Sequence, residues 1–176
     1  MATNEFWNCI NAIAQSLPFR KDTMERLLDA RLERESANAY FVMYSMVRRG
    51  KGPYPVRLSG IDLRVKTGDP DHPGFLVLEI AGPQVTISDL RKRYPGASFT
   101  PAPPGNLSDD PEYTFATKEP WGTLMFGVSS KTDIVKSISF HPGECGRSRG
   151  RGSGARGERG PGNVPHQVHS SHTAPL

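Results

Sequence analysis

The stretch from residue 121 to residue 140 constrains the fold of this chain most, because it has the pattern of a β-hairpin. In its first arm Leu124, Phe126 and Val128 alternate with the residues between them, and a second alternating run covers 134–140. A short polar segment, 129–133, links the two arms. Alternation with a period of two, together with aromatic and β-branched residues, is typical of paired antiparallel strands. We therefore expect a sheet around which the earlier part of the chain is arranged.

Three helices are predicted outside this hairpin. Residues 3–17 have apolar side chains at helical spacing, with Thr3 as a possible N-cap and Pro18 as a stop. A second helix is predicted over about 22–36, where leucines form a stripe and charges of both signs cover the other face. A short third helix, 86–94, is bounded by a Thr or Ser cap and by the Tyr-Pro-Gly at 94–96.

Further strands are predicted at 56–66, 75–80 and 112–117, with a brief one at 97–100 and a bulge at Gly60. The segment 38–47 fits a strand or a continued helix; its three aromatic residues and two valines favour the strand. Strands that are neighbours in sequence and joined by short turns pair antiparallel. The sequence thus predicts one α+β domain over 1–142, an antiparallel sheet of about five to six strands with helices packed on one face.

Residues 143–176 differ in kind from the rest. They hold eight glycines and five arginines, no aromatic residue and no sustained apolar pattern, so we expect a disordered Gly/Arg/Pro-rich tail. The formal charge of the 176-residue chain is +4, and the tail accounts for +3 of it. Residues 1–142 are therefore close to neutral, so their charge does not indicate that the predicted domain binds nucleic acid over its surface.

Cellular location is inferred from three absences. Cys9 and Cys145 are predicted to be free thiols. No stretch reaches the ~18 apolar residues that a membrane span needs. No basic cluster precedes the N-terminal apolar pattern, so a secretory signal is not predicted. A cytoplasmic protein without membrane association is expected.

Motifs for catalysis or cofactor binding are not found. The chain has no glycine-rich phosphate loop and no nucleophile elbow. His72 lies beside Asp69 and Asp71 in a polar turn, and three further histidines lie in the glycine-rich tail, where no rigid element would preorganise metal ligands. We therefore predict no catalytic residue, metal, cofactor or small-molecule substrate, although scattered catalytic residues keep an enzyme as a third hypothesis.

Polar loops carry the residues that best fit a contact surface for a basic partner. Acidic side chains on loops held by a rigid scaffold steer and orient such a partner, and exposed tyrosines serve as anchors. The candidates are Tyr54, Asp69, Asp71, Asp109, Asp110, Glu112 and Tyr113. Trp121 is also a possible anchor, but a position in the core is the stronger interpretation.

A resemblance suggests what that partner is. The segments 61–65, 75–82, 87–95 and 121–127 follow one another as strands, a short helix before Tyr94-Pro95, and a Trp-Gly hairpin. In this order the region 38–142 resembles the small cytoplasmic immunity proteins encoded beside bacterial polymorphic or type VI secretion toxins. The resemblance implies a non-catalytic protein that binds a cognate toxin or effector and occludes its active site.

The alternative is a nucleic-acid-associated protein that acts through its tail. Arg-Gly steps occur along 147–160 and can make salt-sensitive contacts with phosphates. The arginines concerned are Arg147, Arg149, Arg151, Arg156 and Arg159. RNA-binding segments of this type interleave aromatic residues for base stacking, and this tail has none, so nucleic acid is the less favoured partner.

Overall fold

A computed structural model of the chain describes residues 2–51, 53–54, 56–82, 84–101 and 109–143, without the side chains of residues 2 and 3. Over these ranges it contains three α-helices and eight β-strands. The helices are α1 (Ala2–Gln15), α2 (Lys21–Leu28) and α3 (Ile87–Arg93). The strands are β1 (Ala30–Ala37), β2 (Phe41–Arg49), β3 (Leu58–Lys66), β4 (Phe75–Ile80), β5 (Ser98–Thr100), β6 (Glu112–Glu119), β7 (Gly122–Ser129) and β8 (Val135–Pro142).

The eight strands form one antiparallel sheet in the order β1-β2-β3-β4-β8-β7-β6-β5. Two four-stranded meanders meet at its centre, where β4 pairs with β8 through Leu76 and Phe140. The helix α3 lies in the connection that leads from β4, at the centre, to β5, at the far edge. The α+β class and the antiparallel sheet are therefore confirmed, but the prediction of five to six strands is wrong.

One face of the sheet carries the core. Phe6, Ile10 and Ile13 of α1 are buried against it, together with apolar residues of α2 and α3. The sheet contributes alternate side chains, which include Leu63, Leu76, Leu78, Leu124, Phe126, Ile138 and Phe140. Alternation along each strand leaves the next residues on the opposite face, on which none of the described helices packs. We call this second face the open face.

The predicted helix 22–36 is wrong in its second half. The helix ends at Leu28 because Asp29 adopts a left-handed conformation, with φ of 48°, and its N–H closes the last turn on the Glu25 carbonyl. The chain then continues as β1, where Ala30 and Leu32 are buried and the charged residues between and after them are exposed. Leu32 has the spacing of a helical stripe but belongs to a strand. Local spacing alone does not distinguish a helix from a strand at this position.

Most other local predictions agree with the structure. Thr86 caps α3 through a reciprocal hydrogen-bonding pair with Asp89. The register between β3 and β4 shifts next to Gly60, as expected for a bulge. The segment 38–47 forms a strand from Phe41 onward. The alternation predicted along 134–140 is wrong at its start, because a further register shift between β7 and β8 places Val135, and not Ile134, on the core side with Ile138 and Phe140.

None of the described helices is long and apolar enough to cross a membrane. The prediction of a disordered tail concerns 143–176, which lies outside the described residues except for Gly143.

Candidate functional site

A groove of about 500 Å³ opens at the end of the sheet where the β6–β7 turn meets the end of β8. Four prolines and the Trp121 ring make its walls largely apolar. Asp71, Lys118 and Glu119 bring charge to it. The full set of lining residues is Leu17, Pro18, Asp71, Pro73, Lys118, Glu119, Pro120, Trp121, Gly122, Thr123, Pro142 and Gly143. We call this feature the Trp121 groove; its volume is in the range of preformed ligand and peptide pockets.

The floor of the Trp121 groove is held by core packing. The Trp121 ring stacks on Phe140 with a centroid distance of 5.7 Å, and Phe140 in turn meets Phe19 edge-on at 5.8 Å. Gly122 allows β7 and β8 to approach closely beside the tryptophan. A Cβ at this position would lie 2.5 Å from the backbone nitrogen of Gly143. The groove is therefore part of the rigid sheet.

One wall of the groove is the loop 67–74 between β3 and β4. The Asp69 carboxylate accepts hydrogen bonds from the N–H groups of Asp71 and His72, both at 3.2 Å. The Arg20 guanidinium donates to the carbonyls of Pro70 and His72, and the N–H of Phe19 donates to the Pro73 carbonyl at 2.7 Å. Because these bonds fix the loop, the exposed Asp71 carboxylate is presented at a defined place on the rim.

The charges at the rim are of both signs. Lys118 donates to the Thr123 hydroxyl at 2.7 Å, which holds its ammonium group along the hairpin. Asp71 and Glu119 supply carboxylates near the apolar walls. Prolines have no N–H, so the four of them line the groove without backbone donors. The groove can hold an apolar side chain of a bound molecule. The carboxylates of Asp71 and Glu119 would then lie next to any basic groups that flank that side chain.

A smaller cavity of about 160 Å³ lies on the helix side of Trp121, lined by residues of α1, α3 and β6. Tyr94 in its wall packs against Trp7 at 5.9 Å and against Phe126 at the same distance. Burial raises the pKa of the Tyr94 hydroxyl, and the nearby Glu119 carboxylate adds to this effect. The phenol stays protonated at neutral pH, which suits a packing role.

The predicted acidic contact residues are separated by the structure. Asp71 lines the Trp121 groove, and Asp69 belongs to the same loop, whose His72 packs on Phe75 at this end of the sheet. Asp109, Asp110, Glu112 and Tyr113 lie at the opposite end, where β6 begins. Lys136, which contacts Asp110, precedes His141 by five residues on β8, and this corresponds to ~17 Å along a strand. The two acidic groups do not form one surface.

Within the second group the side chains have different surroundings. Asp109 is exposed, and the exposed Glu112 accepts a hydrogen bond from the Ser137 hydroxyl at 3.0 Å. Tyr113 is half-buried and lies 5.1 Å from the Phe99 ring, which is 45% exposed.

The remaining predicted contact residue, Tyr54, belongs to neither acidic group. It packs against the core, and its carbonyl accepts a hydrogen bond from the Arg49 guanidinium. The tail arginines predicted for nucleic acid lie outside the described residues.

Asp110 joins the start of β6 to the β7–β8 turn. Its carboxylate contacts the Lys136 ammonium and accepts from the Ser129 hydroxyl at 2.8 Å and from the Lys131 N–H at 3.3 Å. These interactions lower the pKa of Asp110 to about 2, with the Lys136 hydrogen bond as the largest cause. A carboxylate engaged in this way has a structural explanation that the sequence pattern did not reveal.

We expect Asp110 to make stability pH-dependent in the acid range. A pKa that is depressed in the folded state stabilises the fold above the ordinary value of 3.8, and this contribution is lost as the pH falls towards 2. At neutral pH the wild type should have a higher Tm than the variant Asp110→Asn. This difference in Tm should shrink as the pH falls from about 4 to about 2. Circular dichroism melts at several pH values measure this difference. Asp109→Asn is the matched control and should follow the wild type throughout; a difference in Tm between wild type and Asp110→Asn that is as large at pH 2 as at neutral pH contradicts the prediction.

Sequence reasoning missed an aromatic cluster on the open face, next to the Trp121 groove. Phe41, Phe75 and His72 lie within 5.8 Å of one another by ring centroids, and His141 lies 6.0 Å from Phe75. Burial lowers the pKa of His141, and the charge of Arg64 adds to this effect. The sequence could have indicated this cluster only in part. Alternation along each strand places Phe75 and His141 at outward positions, but only the order of the strands shows that the two residues are neighbours.

Metal-ligating side chains are not gathered in the described ranges. These ranges contain no cluster of three or more His, Cys, Asp and Glu side chains able to hold a metal ion. Burial raises the pKa of Cys9 to about 12, so this thiol remains protonated and is a poor nucleophile.

No protein-family model, curated protein or solved structure matches this chain.

Proposed function

We propose that this chain is a non-catalytic cytoplasmic immunity protein, which binds a cognate bacterial toxin or effector through the Trp121 groove and occludes it. The observation that carries the proposal is the groove itself. It is apolar, it rests on the core aromatic Phe140, and it brings the predicted contact residue Asp71 beside Trp121. The resemblance of 38–142 to immunity proteins supports the same function.

The proposed mechanism is steric and electrostatic. An apolar side chain of the partner enters the groove and packs on Trp121, because aromatic anchors in preformed pockets dominate binding at protein interfaces. Basic residues flanking that side chain meet the carboxylates of Asp71 and Glu119, which increases the association rate and fixes the orientation. The folded domain of this chain covers the active site of the toxin, so inhibition needs no catalytic group.

The test is capture of the partner by the full chain and by the variant Asp71→Lys/Glu119→Lys, with mass spectrometry to identify what is retained. The captured protein is then expressed alone and together with each form. We expect the wild type to suppress its toxicity. The double reversal should weaken binding by at least ~30-fold, because two carboxylates are replaced by charges that repel a basic partner.

Glu35→Lys/Asp109→Lys is the matched control, since it makes the same change in charge at two exposed positions away from the groove. This control should bind and protect like the wild type. Equal loss in both double variants would indicate a net-charge effect and contradict a site at the groove. A captured protein that is harmless when expressed alone would contradict the immunity function.

A further inference from the structure

The side chains of the open face are arranged in lateral rows that run across the strands. The first row contains Met43, Arg64, Phe75, His141, Thr123 and Lys118. The middle row contains Ser45, Asp62, Val77, Ser139, Met125 and Ala116. The third row contains Gly60, Glu79, Ser137, Gly127 and Thr114. Successive rows lie two residues apart along each strand, at ~6.8 Å.

The first and third rows differ in height. The first row carries two aromatic rings, a methionine, an arginine and a lysine, so it stands above the sheet. The third row is made mostly of glycine, serine and threonine, so it is low. A second sheet face would pack well only if its high row met this low row.

The two rows also differ in charge. Arg64 in the first row is half-exposed although it pairs with Asp62 at 2.7 Å. In the third row the Glu79 side chain lies flat across Gly60, since a Cβ on that glycine would be 2.5 Å from the Glu79 carboxylate oxygen. The Glu112 carboxylate lies across Gly127 in the same manner. The high row is therefore basic at two positions and the low row carries two carboxylates.

We propose that the open face is the interface of a symmetric homodimer, in which two copies pack face to face about a twofold axis along the middle row. This rotation places the high row of each copy over the low row of the other. Arg64 of one copy then lies over Gly60 of its partner, where the Glu79 carboxylate rests. A twofold axis along the strands would instead set high row against high row. An isologous interface needs this kind of self-complementarity.

The size and composition of the face are adequate for such an interface. Eight strands at ~4.8 Å spacing and three rows cover about 34 Å by 20 Å, or ~700 Å² of projected area. Each partner in a stable complex contributes ~800 Å². Apolar side chains of the face lie outside the core cluster and are only half-buried in the single chain; they include Phe41, Met43, Phe75, Val77 and Met125. A second copy would bury them.

The mass of the full chain in solution tests the proposal, by sedimentation equilibrium of the wild type and of charge-reversed variants. We expect the wild type to have twice the 19.3 kDa of one chain at micromolar concentration. Arg64→Glu and Glu79→Lys should each raise the dissociation constant of the dimer by at least ~30-fold, because the symmetry repeats each lost contact. The double variant Arg64→Glu/Glu79→Lys restores opposite charges and should dimerise as the wild type does.

Arg91→Glu is the matched control. It makes the same change of charge at an exposed arginine, but Arg91 lies on α3, which packs against the core side of the sheet and not on the open face. This variant should remain dimeric, and circular dichroism melts verify that every variant is folded. A monomeric wild type, single reversals that leave the dimer intact, or a double variant as dissociated as the singles would each overturn the proposal. So would a face occupied only by a different protein, with no self-association.

Discussion

Replacing Gly122 by alanine should lower the free energy of unfolding by about 3 kcal/mol or more, with a fall in Tm of about 10 °C. Two effects act together at this position. Gly122 has a φ of 152°, which side chains with a Cβ rarely adopt. Its Cβ would also enter the backbone of β8 at His141, Pro142 and Gly143, and backbone atoms of a central strand cannot move aside as a flexible side chain can. Chemical denaturation followed by Trp fluorescence measures the loss.

Two other glycines separate these effects. Gly68 has a φ of 70° with open space where a Cβ would be, so Gly68→Ala should show the conformational cost alone, about 1 kcal/mol. Gly96 has the same open space and no positive φ, so Gly96→Ala should be close to neutral. If Gly122→Ala costs no more than Gly68→Ala, the close approach of β7 and β8 is not what requires the glycine.

Replacing Phe140 by alanine should cost about 3–5 kcal/mol, because a large aromatic side chain is removed from the centre of the sheet. Phe140 is fully buried and touches both Phe19 and Trp121. Since the Trp121 ring stacks on it, the loss should also displace the floor of the groove. We therefore expect weaker binding to the partner proposed for the groove in addition to lower stability, measured by urea denaturation and by a binding titration on the folded fraction.

Phe140→Leu retains most of the volume and should cost less than about 1.5 kcal/mol. Phe99→Ala removes the same group as Phe140→Ala from a residue that is 45% exposed, and should have a small effect. Equal losses at Phe99 and Phe140 would contradict the assignment of Phe140 to the central packing.

Much of the fold follows from patterns a few residues long. The alternation in β7 placed Leu124, Phe126 and Val128 together on one side of the strand, and in the structure all three are buried in the core. The start of α3 was predicted from the same kind of signal, with Thr86 or Ser88 as the cap, and in the structure Thr86 caps the helix through reciprocal bonds with Asp89. Elements whose signal is local can be predicted from the chain alone.

The wrong predictions concern residues whose structure depends on partners that are distant in the sequence. Leu32 fits the helical spacing of Leu28, yet it pairs with Met46 in a strand because Asp29 turns the chain. Asp110 fits an exposed contact residue until Lys136, distant in sequence, is brought to its carboxylate. No local pattern reports such a pairing.

The candidate sites show the same division. Asp71 and Trp121 were both singled out from the sequence, but they line one groove only because the β3–β4 loop and the β6–β7 turn lie at the same end of the sheet. The rows of the open face arise from strands that are adjacent only in the order β4-β8-β7.

The sequence by itself determined the class of the fold, the alternation of side chains along most strands and the position of the third helix, because side-chain periodicity and capping act between near neighbours. Only the tertiary structure decided the order of the eight strands, the face left without helices and the groove beside Trp121. These depend on which strands pair across long separations, and that choice is made by the packing of the whole core.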